Sequence, residues 1–107
     1  MDLTGKQVLV AGLGKSGIAA GALLKKMGCM VCLFDGNEKF DRGAWEKTYP
    51  VFSDCPLWIG ELPDAAVQEM ELVVVSPGIP LDTPAILKLQ AAGVPVVGRS
   101  EEHTSEL

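Results

Sequence analysis

Short apolar runs recur along the chain, each followed by a glycine-rich or polar break and, in most cases, by a stretch with helical rhythm. The first run, Gln7–Ala11, is almost continuously apolar, which predicts a parallel strand covered on both faces. After it comes Gly12-x-Gly14-x-x-Gly17, and then Ile18, Ala19, Ala22, Leu23 and Lys26 repeat at helical spacing to about Met27. Ser16 is the predicted N-cap and Gly28 the residue that ends this helix. Gly21 in its interior costs roughly 1 kcal/mol against alanine unless close packing requires it. Residues 30–34 predict the second strand, ending at Asp35, and Asp35-Gly36-Asn37 is turn-forming. A short helix is expected around residues 44–47 and a short third strand at 51–52. Residues 54–62 carry no clear period, although Trp58 and Ile59 suggest a buried piece. Pro63-Asp64 opens a short helix ending near Glu69, and residues 72–76 form a clear strand broken by Pro77-Gly78. Thr83-Pro84 pairs an N-cap with proline at the first helical position, so a helix is expected over 84–92, closing on Gly93. A fifth strand follows at 94–97, where Pro95 argues for an edge or a strand start.

This alternation predicts an α/β fold: a Rossmann-like parallel sheet of about five strands, with right-handed crossovers and helices on both faces. In such sheets ligands bind beyond the carboxyl ends of the strands, near the point where strand order reverses. Three segments converge there. They are the glycine turn (Gly12, Gly14, Lys15, Ser16, Gly17), the turn after the second strand (Asp35, Gly36, Asn37) and the break after the fourth (Ser76, Pro77, Gly78, Ile79). A glycine turn opening a helix is an anion site in waiting, because backbone can approach a ligand closely and the helix N-terminus offers unpaired amides. The plain alternative is a tight turn with no ligand. Asp35 lies where a dinucleotide site places its ribose-binding acid, but it is also a turn-former. Ser76-Pro77-Gly78-Ile79-Pro80 suits either a rigid backbone shaped for a ligand or a stiff surface turn. No GxxxxGK[ST] loop is present, so ATP binding in that mode is not expected.

Composition narrows the rest. A chain of 107 residues, 48% hydrophobic and 21% charged, is one globular domain. A net charge of −5 without a Lys/Arg cluster argues against a nucleic-acid partner. No apolar run is long enough to span a bilayer and the N-terminus lacks a signal-peptide pattern, so no membrane partner and a cytoplasmic location are expected. The odd count of three cysteines fits a reducing compartment. Cys29-x-x-Cys32 has no second pair to answer it, and on a strand its side chains face opposite ways, so Cys29, Cys32 and Cys55 are expected to be small buried hydrophobes, with no metal bound. Trp45, Trp58 and Phe52 are expected in core or interface packing. Residues 99–107, RSEEHTSEL, resemble the translation of a sequencing-library adapter and are set apart as a non-native tail, leaving 1–98 as the domain. His103, the single histidine, falls in that tail and is given no catalytic role.

The combination GLGKSG, Asp35-Gly-Asn and VVVSPGIPLDTP resembles the N-terminal domain of MurD-type enzymes of the Mur ligase family, over residues 1–98. The SPGI segment is the most specific part of that likeness. The resemblance implies a three-domain cytoplasmic ligase of peptidoglycan synthesis that uses ATP and Mg2+ to join D-glutamate to UDP-N-acetylmuramoyl-L-alanine. It also implies that the ATP, metal and acceptor sites lie in the other two domains, so no catalytic residue is assigned and this fragment is expected to bind no cofactor and to be inactive alone. Carried over by motif position, Gly14, Lys15, Ser16 and Gly17 would face the diphosphate, and Asp35, Gly36 and Asn37 the uracil. Ser76, Pro77, Gly78 and Ile79 would line the substrate path. Family members often carry a larger side chain at position 36, so base contacts there would come from backbone. The competing expectation is an NAD(P)-binding Rossmann domain of an oxidoreductase or regulatory module, which the glycine motif and Asp35 would serve equally and which leaves SPGIP unexplained.

Overall fold

The computed structural model describes residues 4–76, 79 and 83–98. Five strands form one sheet in the order β3-β2-β1-β4-β5, every pair parallel. They are β1 Gln7–Ala11, β2 Met30–Asp35, β3 Leu57–Ile59, β4 Leu72–Val75 and β5 Val96–Gly98. The helices between them are α1 Lys15–Lys26, α2 Arg42–Thr48, α3 Asp64–Glu69 and α4 Pro84–Ala91.

β1 is the centre of the molecule. Its Val8, Leu9, Val10 and Ala11 are fully buried, which accounts for its unbroken apolar run: it is covered on both faces and paired on both edges. Alternation along the strands divides the core in two. Leu9, Ala11, Cys32, Phe34, Val73 and Val75 face α3 and α4, where Ala66, Val67, Ile86 and Leu89 meet them. Val8, Val10, Val31, Leu33 and Leu72 face the other way, against Leu24 of α1, Trp45 of α2 and Phe52.

Three elements differ from the sequence reading. Residues 51–52 are not a strand; they belong to a 3-10 turn, Pro50–Phe52, with proline at its start. Only Phe52 of the pair is buried, and a single anchored ring needs a turn rather than a strand to deliver it. The third strand is Leu57–Ile59, where Leu57 pairs with Leu33 and Trp58 with Phe34. The N-cap of α1 is Gly14, in extended conformation at φ −77°, so the helix starts before Ser16 and not after it. Pro95 precedes the edge strand β5, where its missing N–H costs the ladder nothing.

Gly21 meets the condition that justifies a glycine in a helix. A Cβ there would sit 3.0 Å from the Phe52 ring, which is 2% exposed and stacks on Trp45 at 5.5 Å. Helix propensity alone predicts that Gly21→Ala gains about 1 kcal/mol. Because Phe52 is wedged, we expect overpacking to win and stability to fall by about 1 kcal/mol. Urea denaturation decides the sign, and a gain would mean that the ring retreats freely.

Candidate functional site

Where β1 ends, the chain turns back on itself through a residue only glycine suits. Gly12 has φ +93°, and its N–H donates to the Phe34 carbonyl at 2.8 Å, tying the turn to the end of β2. Leu13 buries its side chain and donates its N–H to Asp35 Oδ2 at 3.1 Å. Gly14 caps α1 with no side-chain bond, and a Cβ there would meet nothing within 4 Å. The amides of Lys15, Ser16 and Gly17 have no intrahelical acceptor, since the first turn of a helix leaves its N–H groups orphaned. Ile18 N–H is the first to reach back, to Gly14 O at 2.9 Å. Gly14, Lys15 and Ser16 are exposed, and the first turn carries no acidic residue. Open, amide-lined and at the positive end of the helix dipole, this turn suits an anion. Gly17 is buried behind it, and a Cβ at that position would collide with the Gly12 carbonyl oxygen.

The second segment is built around one carboxylate. Asp35 Oδ1 accepts the N–H of Asn37 at 2.9 Å, Oδ2 accepts that of Leu13, and the Asp35 carbonyl accepts the N–H of Gly60 at 2.8 Å. Asn37 Oδ1 accepts from Lys39 N–H at 3.0 Å, while Gly36 is exposed with room for a Cβ 3.9 Å from the Phe34 ring.

From the other side, Ser76 follows β4 and donates its hydroxyl to the Gly12 carbonyl at 3.1 Å. Ile79 N–H donates to Ser76 O at 3.0 Å, and the Ile79 side chain lies 3.0 Å from where a Cβ on Gly12 would be. Pro77 and Gly78 lie outside the described residues. Gly12, Ser76 and Ile79 are thus in direct contact and Asp35 is joined to them through the Leu13 N–H, with Gly14–Gly17 and Gly36–Asn37 continuing from them on the same rim. This rim is the carboxyl end of β1, β2 and β4, and β1 is the strand from which order departs in both directions. Sequence reasoning passed over Leu13, whose amide joins the glycine turn to Asp35. A buried apolar residue inside the glycine motif was the available sign.

A separate hollow of about 440 Å³ lies at the opposite, amino-terminal end of the sheet, beside Gln7, Lys25, Met30, Cys32, Cys55 and Trp58. Cys29 and Cys32 are buried in the two different halves of the core, so the sheet separates them. Cys55 is half-buried rather than buried, with Lys25 Nζ 3.7 Å from its sulfur. Among the described residues no group of three or more His, Cys, Asp or Glu side chains could hold a metal ion. Among them, too, no helix is long and apolar enough to cross a membrane.

Burial pushes the Cys32 thiol up to about 11, with Cys55 and Glu69 adding in the same direction. The unfolded chain releases this proton first, near the ordinary value of 9.0. The stability held by the protonated thiol is therefore complete below that value and is lost as pH rises through about 11. We expect urea midpoints of the protein to fall across that window more steeply than those of Cys32→Val. Parallel pH profiles would contradict the assignment.

Residues 6–98 match the family described as Mur ligase MurD-like, N-terminal domain. The chain belongs to that family. Among MurD-like relatives, the UDP-N-acetylmuramoylalanine–D-glutamate ligase of Lachnospira eligens is 43% identical over 103 residues. The enzyme of the same name from Caldicellulosiruptor saccharolyticus is 42% identical over 102. Each alignment takes in 94% of this chain and 22% of the relative, so the chain spans about a fifth of the length of these ligases. Among solved structures, shikimate dehydrogenase from Aquifex aeolicus superposes with TM-score 0.56 at 16% identity, over 91% of this chain and 43% of that one. A chorismate mutase/shikimate 5-dehydrogenase fusion protein from Clostridium acetobutylicum gives 0.55 at 14%, over 92% and 43%. At such identities the MurD-like domain shares the Rossmann-like fold with these proteins.

Proposed function

We propose that this chain is the UDP-binding N-terminal domain of a ligase that adds D-glutamate to UDP-N-acetylmuramoyl-L-alanine in peptidoglycan synthesis. One observation carries the reading: an uncapped, open helix N-terminus at Gly14, at the switch point of the sheet, joined by hydrogen bonds to the loops that follow β2 and β4. In this reading Gly14, Lys15, Ser16 and Gly17 receive the diphosphate through backbone amides and the helix dipole. The segment Asp35, Gly36 and Asn37 borders the uracil, and Ser76, Pro77, Gly78 and Ile79 form the opposite wall. Membership in the MurD-like family supports the choice of a UDP-linked ligand over a nicotinamide dinucleotide.

In this reading ATP and Mg2+ are held by the remainder of the ligase. This chain has no GxxxxGK[ST] loop, and its described residues offer no metal cluster. Activation of the muramoyl-alanine carboxylate and attack by the D-glutamate amine belong to the remainder of such a ligase, and this fragment is expected to be inactive alone. What the domain contributes is grip on a remote handle. Binding energy gained at the nucleotide holds a distant carboxylate in place for reaction.

Calorimetric titration of the chain with UDP and, separately, with NAD tests the proposal. Saturable UDP binding with no NAD response is expected. Tight NAD binding with no UDP response would replace this reading with a dinucleotide site.

A further inference from the structure

The peptide unit between Gly12 and Leu13 is gripped at both of its polar atoms, by the two strands that flank β1. Its carbonyl oxygen accepts the Ser76 hydroxyl at 3.1 Å, just past β4. Its N–H donates to Asp35 Oδ2 at 3.1 Å, at the end of β2. Both grips are themselves fixed. Ser76 N–H donates to Ala11 O at 3.1 Å, and the second oxygen of Asp35 holds Asn37 N–H at 2.9 Å. This same carbonyl is what a Cβ on Gly17 would strike, so the first turn of α1 rests against it.

A glycine-flanked peptide rotates easily, because glycine tolerates conformations other residues do not. Bonds to opposite atoms of one peptide plane, from opposite sides, remove that rotation. Were the plane to turn, the surface beneath Gly17 would move and the amides of the first turn would change direction. Asp35 makes little sense as a direct contact of a diphosphate, since like charges repel. Its two oxygens are already bound to backbone amides.

Resting on the UDP reading above, we infer that Asp35 and Ser76 are positioning residues: acting through the Gly12–Leu13 peptide, they set the direction in which the first-turn amides of α1 face the diphosphate. They divide one task between them. Losing either frees the peptide, and losing the second adds little.

Two measurements on the full chain test this. In the free protein, Ser76→Ala is expected to speed hydrogen exchange of the Leu13 amide by about tenfold, although Ser76 does not touch that N–H, while Val10 in the core keeps its protection. In UDP titrations, Asp35→Ala and Ser76→Ala should each weaken binding by about tenfold. The double variant should lose about the same, and Ser76→Thr, which keeps the hydroxyl, should restore most of the affinity. A product of the two losses, roughly a hundredfold, would mean two independent ligand contacts and would overturn the inference. So would an unchanged Leu13 exchange rate in Ser76→Ala. If the parent chain does not bind UDP, the functional reading fails by itself, and the exchange experiment still decides whether the peptide is clamped.

Discussion

Gly17→Ala is expected to lower the stability of this protein by about 3 kcal/mol, although alanine is the better helix former. The gain in propensity is roughly 1 kcal/mol, and the new methyl is driven into the Gly12 carbonyl oxygen. Backbone on one side and backbone on the other leave no flexible side chain to yield. Relief requires α1 to lift away from the turn, which breaks the Ser76 and Asp35 contacts to the Gly12–Leu13 peptide. For a domain of this size the unfolding midpoint should drop on the order of 15 °C, measurable by circular dichroism. An unchanged midpoint would mean that helix and turn are not in contact in solution.

Gly14→Val should do the reverse: leave the fold nearly intact and abolish UDP binding. The backbone of Gly14, at φ −77° and ψ −171°, is open to any residue, and a Cβ there meets no protein atom within 4 Å. The cost to the protein is a poorer N-cap, about 1 kcal/mol. The cost to the ligand is a branched side chain standing where the amides of α1 open to solvent, and affinity should fall more than about a hundredfold, equivalent to roughly 3 kcal/mol. Titration calorimetry beside a thermal melt separates the two effects. Retained affinity would remove the diphosphate from this turn.

Much of the fold was legible because glycine and proline punctuate it. β1, α1, β4 and α4 carry apolar patterns bounded by Gly12, Gly28, Pro77 and the Thr83-Pro84 pair, and these bounds agree with the observed elements to within a residue or two. β3 was not legible. Three residues with one well-buried side chain, Leu57, leave no period to detect, and the strand exists because β2 offers Leu33 and Phe34 as partners. Val51–Phe52 misled because apolar residues at strand-like density also serve a 3-10 turn that buries one ring. Ser16 misled because the side chain best suited to capping is two places from the residue whose backbone is extended. At the rim, topology alone predicted that Gly12, Asp35 and Ser76 would meet. It did not predict that they would meet over a single peptide unit, since that depends on where two side chains settle after the strands have paired.

The hydroxyl of Ser76 and the carbonyl it meets are 64 residues apart, as are Val8 and Leu72, which lie side by side in the sheet. The central strand is therefore made early in synthesis and receives one of its neighbours late. Until β4 arrives, one edge of β1 has no partner, so chain stopped before residue 72 would carry an open row of unpaired backbone N–H and C=O groups. The Ser76 side of the rim cannot form before β4 has paired with β1, so the cradle is complete only when the whole sheet is.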